Sequence, residues 1–147
     1  MRVASPQLVW CNRQRTVGHR QLRLSVAAGI VERAWPRILS VQLSGAVLGG
    51  LDEITVVLVA DRRIAALHGE FMGDPSPTDV ITFQHGEIVV SAETARREAT
   101  RRGLEIPEEI ARYVVHGLLH LGGWSDTAPG AASDMRVMQE KILRRAV

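Results

Sequence analysis

The sequence predicts a single α+β domain over residues 1–147, built from about four strands and about five helices, one of them a zincin-like metal helix. Three observations predict it. Short β-branched runs, Ile54-Thr55-Val56-Val57-Leu58-Val59 foremost, have the length of strands. Between and after them lie longer stretches whose apolar residues recur three and four apart, the period of a helix with one buried face. In one of those stretches His116 and His120 stand four residues apart, followed by Gly122, Gly123 and Asp126. A composition of 46% hydrophobic and 23% charged residues suits one globular domain that buries a core without covalent staples.

In chain order, Leu8-Val9-Trp10 reads as an opening strand, and Asn12 to Arg15 as a turn. From about His19 to Trp35, Leu22, Val26 and Ile30 together with Leu24, Ala27, Ala28 and Val31 mark a core helix that Pro36 is expected to stop. Ser40 to Gly50 is small, apolar and Gly-rich, and reads as a loop. The run from Ile54 to Val59 does not alternate with polar residues, so it predicts a strand covered on both faces. Asp61 is placed to cap the next helix, in which Ile64, Leu67, His68 and Phe71 share a stripe. After a turn at Gly73 to Pro77, Thr78 to Phe83 and Glu87 to Ser91 predict a hairpin joined through Gln84-His85-Gly86. Ser91 is expected to cap a helix running to Arg102, with Glu93 and Arg97, then Glu98 and Arg102, paired four apart, and Gly103 closes it. Pro107, Glu108 and Glu109 open the metal helix, whose buried stripe is Ile110, Val114, Leu118 and Leu121. A small-residue loop leads to a last helix with Met135, Met138 and Ile142 inward and Arg144 and Arg145 at its C-terminal end.

The chemistry concentrates on His116-Gly117-Leu118-Leu119-His120-Leu121-Gly122-Gly123-Trp124-Ser125-Asp126. On a helix the two histidines lie one turn apart on one face, and both imidazoles can reach one ion. Spacing alone leaves open that they are two ordinary polar residues. The glycine pair tilts the balance, because glycine tolerates the left-handed backbone that ends a helix and lets the chain turn Asp126 back toward them. Two nitrogens, a carboxylate oxygen and an open position for water outline a catalytic zinc site, one per chain, although nickel or cobalt suit the same ligands. The protease motif H-E-x-x-H needs a glutamate at position 117, where this chain has Gly117, so peptide hydrolysis of that type is disfavoured.

Other features narrow the class. A single cysteine, Cys11, excludes an internal disulfide and reads as a small buried hydrophobe. The net charge is +2 and its basic side is mostly arginine, which permits a nucleic-acid partner without requiring one. Arg96, Arg97, Arg101 and Arg102 form a basic helix face, most simply a solvated and partly paired one. No secretory signal is recognised, and the longest charge-free run, Ile38 to Leu51, is too short to span a bilayer. A cytoplasmic protein with no membrane and no disulfide partner is expected.

The motif from His116 to Asp126 resembles the signature H-G-x-L-H-L-x-G-Y-D-H of the YbeY-type bacterial endoribonucleases. Thr78-Asp79-Val80-Ile81-Thr82-Phe83 and Gly86-Glu87-Ile88-Val89-Val90-Ser91 resemble that family's T-D-V-L-S-F and G-D-I-V-I-S blocks. Asp134 to Leu143 resembles its E-M-x-x-x-E-x-x-I-L ending. The resemblance runs in order from Glu53 to Leu143. It implies a mixed sheet with helices packed around it, one zinc ion, and single-stranded RNA of the small ribosomal subunit as substrate, so ribosomal RNA or that subunit is the expected partner. By position the zinc ligands are His116, His120 and Asp126.

Three positions depart from the pattern. Asp126 stands where the family has its third histidine, Ser125 where it has an aspartate, and Met72 where the segment L-N-x-x-Y-R-G has an arginine. His68, Asp79 and Glu87 are candidates for proton transfer, and Arg97 and Arg101 for contact with RNA. The leading expectation is a metal-dependent endoribonuclease acting in ribosomal RNA maturation and ribosome quality control. The alternative, favoured by Met72 and Ser125, is a metal-stabilised RNA-binding or ribosome-binding factor of weakened activity. Hydrolysis of a different substrate is a third reading.

Overall fold

The β-branched runs pair into one mixed sheet in a computed structural model that describes residues 5–147, the side chain of Pro129 aside. In chain order the elements are β1 (Gln7–Asn12), α1 (His19–Leu22), α2 (Leu24–Ser40), β2 (Glu53–Val59), α3 (Asp61–Met72), β3 (Val80–Phe83), β4 (Glu87–Ser91), α4 (Ala92–Arg102), α5 (Ile106–Leu121) and α6 (Pro129–Ala146). The strands lie in the order β1-β2-β4-β3. β1 and β4 both run parallel to β2, and β3 returns antiparallel to β4 with Phe83 opposite Glu87, the expected hairpin. This is the expected α+β architecture, with a one-turn helix added.

The two faces of the sheet are unequal. Ile54, Val56 and Leu58 of β2 and Ile88 and Val90 of β4 are fully buried in the main core, which α2, α5 and α6 complete. Val57, Val59, Ile81, Val89 and Phe83 point the other way and meet Ile64 and Leu67 of α3, with Phe71 of the same helix edge-to-face on Phe83. β2 is therefore not covered evenly on both faces: Thr55 and Val57 are half-buried, because α3 alone packs on their side. Cys11 lies on that thinner side, half-buried rather than enclosed.

Four local expectations are corrected. The first long helix is broken at Arg23, whose left-handed backbone (φ 45°) separates α1 from α2. Pro36 does not end α2, which continues to Ser40. The missing donor at Pro36 leaves free the carbonyl of Glu32, an exposed residue where water can satisfy it, while Ile38 beyond the proline is 1% exposed and holds the last turn in the core. Asp61 is the first residue of α3 and not its cap. Its carboxylate instead accepts from Ser91 Oγ at 2.6 Å, Thr94 Oγ1 at 2.7 Å and Arg97 at 2.7 Å, while Glu93 accepts from the Asp61 backbone N–H at 2.8 Å. Arg97 thus pairs with Asp61 and not with Glu93. Ser91 does cap α4, accepting from Thr94 N–H, and Glu98 pairs with Arg101 at 2.6 Å and more loosely with Arg102 at 3.8 Å.

α5 is the central helix of the core. Ile110, Val114, Leu118 and Leu121 are all 0% exposed, as the stripe predicts. It lies unusually close to the sheet at Gly117, where a Cβ would come within 2.8 Å of Thr82 Oγ1 and 2.9 Å of Ile88 Cδ1. Only a residue without a side chain permits that approach. Gly117→Ala is expected to destabilise the fold by about 1–3 kcal/mol, the usual cost of overpacking a tight core. Urea unfolding measures it, and a midpoint equal to the wild type would show that the helix can move off the sheet freely.

Candidate metal centre

The close packing of α5 sets His116 and His120 at the edge of the core, each partly exposed. Each imidazole is held from behind through Nδ1. His120 Nδ1 donates to the backbone carbonyl of Trp124 at 3.1 Å, and His116 Nδ1 to Gln139 Oε1 at 2.8 Å. A carbonyl only accepts, so the protons sit on Nδ1 and both Nε2 atoms are bare. These two nitrogens face each other at 3.1 Å. Two lone pairs aimed together repel unless a positive charge lies between them.

The third arm comes from the turn that ends α5. Gly123 takes φ 96°, and Trp124 N–H returns to Leu119 O at 3.0 Å. The loop before β2 clamps this turn: Leu43 N–H donates to Gly122 O at 2.8 Å, Val47 N–H to Leu121 O at 2.8 Å, and Trp124 Nε1 to Val41 O at 2.9 Å. A Cβ on Gly123 would lie 3.0 Å from Leu43 O, so both the backbone angle and the clamp require glycine there. The turn delivers Asp126, whose Oδ2 is 3.5 Å from His116 Nε2 and 3.3 Å from His120 Nε2. Ligands 2.0–2.1 Å from a tetrahedral ion stand about 3.3 Å from one another, so the three separations suit one small divalent cation. His116, His120 and Asp126 can therefore hold a metal, their ligating atoms lying within 4.8 Å of one another.

Burial, and then the neighbouring His116, hold the His120 imidazole below its ordinary pKa of 6.5 against the opposing pull of Asp126. The neutral form that binds metal is thereby favoured.

The triad opens onto a cavity of about 420 Å³ walled by Asp79, Arg102, Arg112, Tyr113, Arg136 and Gln139. Beneath it Glu109 is 0% exposed, 3.6 Å from Arg102 Nε and 3.5 Å from Arg112 Nε. Burial pushes its carboxyl above the ordinary range, with the two arginines opposing. Arg112 also pairs with Glu140.

The other sequence candidates fall in different places. Asp79 lines the metal cavity. Glu87 lies across the sheet, beside Cys11, Arg13 and Arg63. His68 uses Nδ1 on Ser76 O at 2.9 Å and braces the turn before β3. Arg97 is committed to Asp61, and Arg101 to Glu98. Met72 is 55% exposed at the end of α3 and does not line the cavity, while Ser125 meets Thr127 Oγ1 at 2.9 Å. Sequence reasoning missed Gln139, and Arg112, Tyr113 and Arg136 of the cavity wall. For Gln139 a sign was there to be read, since the second glutamate of the pattern E-M-x-x-x-E-x-x-I-L falls on it.

Fold and site together define a small α+β protein with a His-His-Asp metal triad at the end of its central helix. The profile of the family described as Endoribonuclease YbeY matches residues 20–147, and the chain belongs to that family. An Endoribonuclease YbeY of an Anaeromyxobacter species is 37% identical over 110 residues, covering 67% of this chain but only 57% of the relative. One from Thermus thermophilus is 37% identical over 102 residues, covering 61% of this chain and 73% of the relative. The chain thus spans between about half and three quarters of the length of these relatives. The solution structure of a Thermotoga maritima protein shares the fold, with a TM-score of 0.59 at 22% identity over 95% of this chain and 89% of that one.

Two measurements test the centre. Gln139→Leu removes the acceptor behind His116 and is expected to weaken metal binding about 10–100-fold, the usual effect of losing a partner behind a ligand. Competition with a chromophoric chelator reads this directly, and unchanged affinity would remove Gln139 from the site. In the metal-free protein, His120 binds its proton less readily folded than unfolded, so below pH 6.5 the unfolded chain holds more protons than the native state. Stability is expected to fall as pH drops through that window and to level off below the native pKa. Urea unfolding of chelator-treated wild type and His120→Gln should show the slope only in the wild type.

Proposed function

We propose that this protein is a zinc-dependent endoribonuclease that cleaves single-stranded RNA and acts in the maturation and quality control of small-subunit ribosomal RNA in the cytoplasm. The observation that carries the reading is the convergence of two bare Nε2 atoms and one carboxylate on a cavity walled by arginines, in a chain of the Endoribonuclease YbeY family. Two nitrogens and one oxygen are a borderline ligand set that suits zinc, with nickel and cobalt as competitors in a purified sample.

Bound there, zinc would supply a Lewis acid for a phosphoryl oxygen and lower the pKa of a coordinated water. The chain's own residues do the rest. Trp124 O and Gln139 Oε1 fix the tautomer and direction of the two imidazoles, so nothing needs to reorganise when the ligands engage. Asp126 brings a formal negative charge that offsets one of the two positive charges of the ion, leaving a weaker field than a third imidazole would. Asp79 is the carboxylate outside the triad on the same cavity wall, where it can accept a proton from an attacking water. Burial raises the Tyr113 phenol, so that group stays protonated in the cavity wall.

Cleavage of single-stranded RNA by the metal-loaded protein, compared with His116→Ala, tests the proposal. Loss of cleavage in the variant is expected, together with loss of its metal. Equal activity would eliminate the metal mechanism. A wild type that holds zinc and binds RNA without cutting it would assign the protein instead to the binding-factor class, which the placement of Met72 outside the cavity favours.

A further inference from the structure

The metal cavity does not end at the triad. It adjoins a second cavity of about 330 Å³, and the two share Asp79, Arg102 and Tyr113 in their walls. The second is closed by Thr94, Arg97 and Glu98 of α4. The joined groove therefore runs from His116 and Asp126 across α5 to α4, with arginines along its length. Two of those arginines are committed. Arg97 is held by Asp61 at 2.7 Å, and Arg112 by Glu140 with Glu109 beside it. Arg136 is not, and Arg102 is only loosely ion-paired, to Glu109 and Glu98, without a hydrogen bond to either. Arg136 is exposed and, among the described residues, has no carboxylate within ion-pair distance and no side-chain hydrogen bond. Arg102 stands 3.6 Å from Glu109 and 3.8 Å from Glu98, beyond hydrogen-bonding range of both.

Beneath the junction of the cavities, Glu109 is fully buried and neither of its oxygens has a hydrogen-bond partner; Arg112 Nε and Tyr113 Oη also lack one. A buried carboxylate in that state is costly unless cations stay near it. It keeps Arg102 at the junction without saturating its donors. A guanidinium with open donors at the wall of a groove is suited to the paired oxygens of a phosphate.

We infer that Arg136 and Arg102 are the phosphate-holding residues of this chain, and that a single RNA strand leaves the metal centre along the groove toward α4. This rests on the endoribonuclease reading and adds to it the path of the substrate.

The test uses the zinc-loaded full chain and a short fluorescein-labelled oligouridine, with initial anisotropy read over a range of salt concentrations and metal counted on the same samples. Each phosphate contact adds about 0.7 to the log–log salt slope for a single strand. Arg136→Ala and Arg102→Ala are each expected to lower the slope by about that amount and to weaken binding several-fold at low salt, with metal content unchanged. Arg136→Lys should restore the slope. Arg144→Ala, in the wall of a separate cavity formed with Arg37 and Lys141, should leave it unchanged. Wild-type slopes in both groove variants, an equal loss in Arg144→Ala, or loss of metal in Arg136→Ala would each overturn the inference. If the wild type binds and cleaves while the variants match it, only the strand path falls. If the wild type neither binds nor cleaves RNA, the endoribonuclease reading falls first.

Discussion

The approach of α5 to the sheet at Gly117 is the constraint on which the site depends. His116 and Leu118 flank that glycine, so the contact of its backbone with Thr82 and Ile88 sets the height and rotation of the helix where the ligands project. A helix one side chain farther out would carry both imidazoles away from β3 and open the cavity floor. The fully buried stripe of Ile110, Val114, Leu118 and Leu121 prevents the helix from rolling, since turning the histidines outward would expose those side chains. Stability and ligand geometry are thus set by the same packing, and the charged machinery lies on a surface that the core has already fixed.

Such a helix presents two ligands but not a third, and the third depends on a segment with little chemistry of its own. The loop from Val41 to Val47 bonds to Leu121, Gly122 and the Trp124 indole, holding the chain in the tight turn that Gly123 permits. The Trp124 carbonyl orients His120, and the chain beyond it brings Asp126 back. One turn therefore supplies a ligand and also orients another. From the opposite side α6 contributes Gln139 behind His116, so the two imidazoles are braced by different elements.

The legible parts of the sequence were those governed by short-range rules. The β3–β4 hairpin follows from loop length, the Ser91 cap from residue type, and the α5 stripe from period, and all three stand in the structure. Histidine spacing, a glycine turn and a nearby acid suffice to place the triad, because those rules also act over a few residues. What failed depended on distant neighbours. The uneven cover of β2 depends on how far α3 extends, which its own β-branched run cannot reveal. Pro36 is tolerated because the last turn of α2 is buried against the core, and Asp61 was drawn from capping by Ser91 and Thr94, about thirty residues away. The Gly-rich loop looked idle because its partners lie some eighty residues later in the chain.

Asp126 and Gln139 are best understood together. The pattern that this chain resembles has a histidine at the first position and a glutamate at the second. Three neutral imidazoles would then surround the ion, with carboxylates at the positions held here by Ser125 and Gln139. Here the ligands are two imidazoles and a carboxylate, and the group behind His116 is a neutral amide. Ser125 removes the aspartate of the pattern as well, so of these positions only Asp126 carries a charge, and it stands in direct reach of the ion rather than behind its ligands. Because the attraction between charges scales inversely with distance, the same charge acts more strongly on the metal from Asp126 than it would from behind His116. An amide at 139 still accepts the Nδ1 proton and fixes the ring, so the orienting role is kept while the charge is given up. A glutamate there in addition to Asp126 would offset both charges of a divalent ion, leaving little field to polarise any group bound to it. Asp126 therefore adds a charge at the ligand position, while Gln139 and Ser125 take charge away from the positions around it.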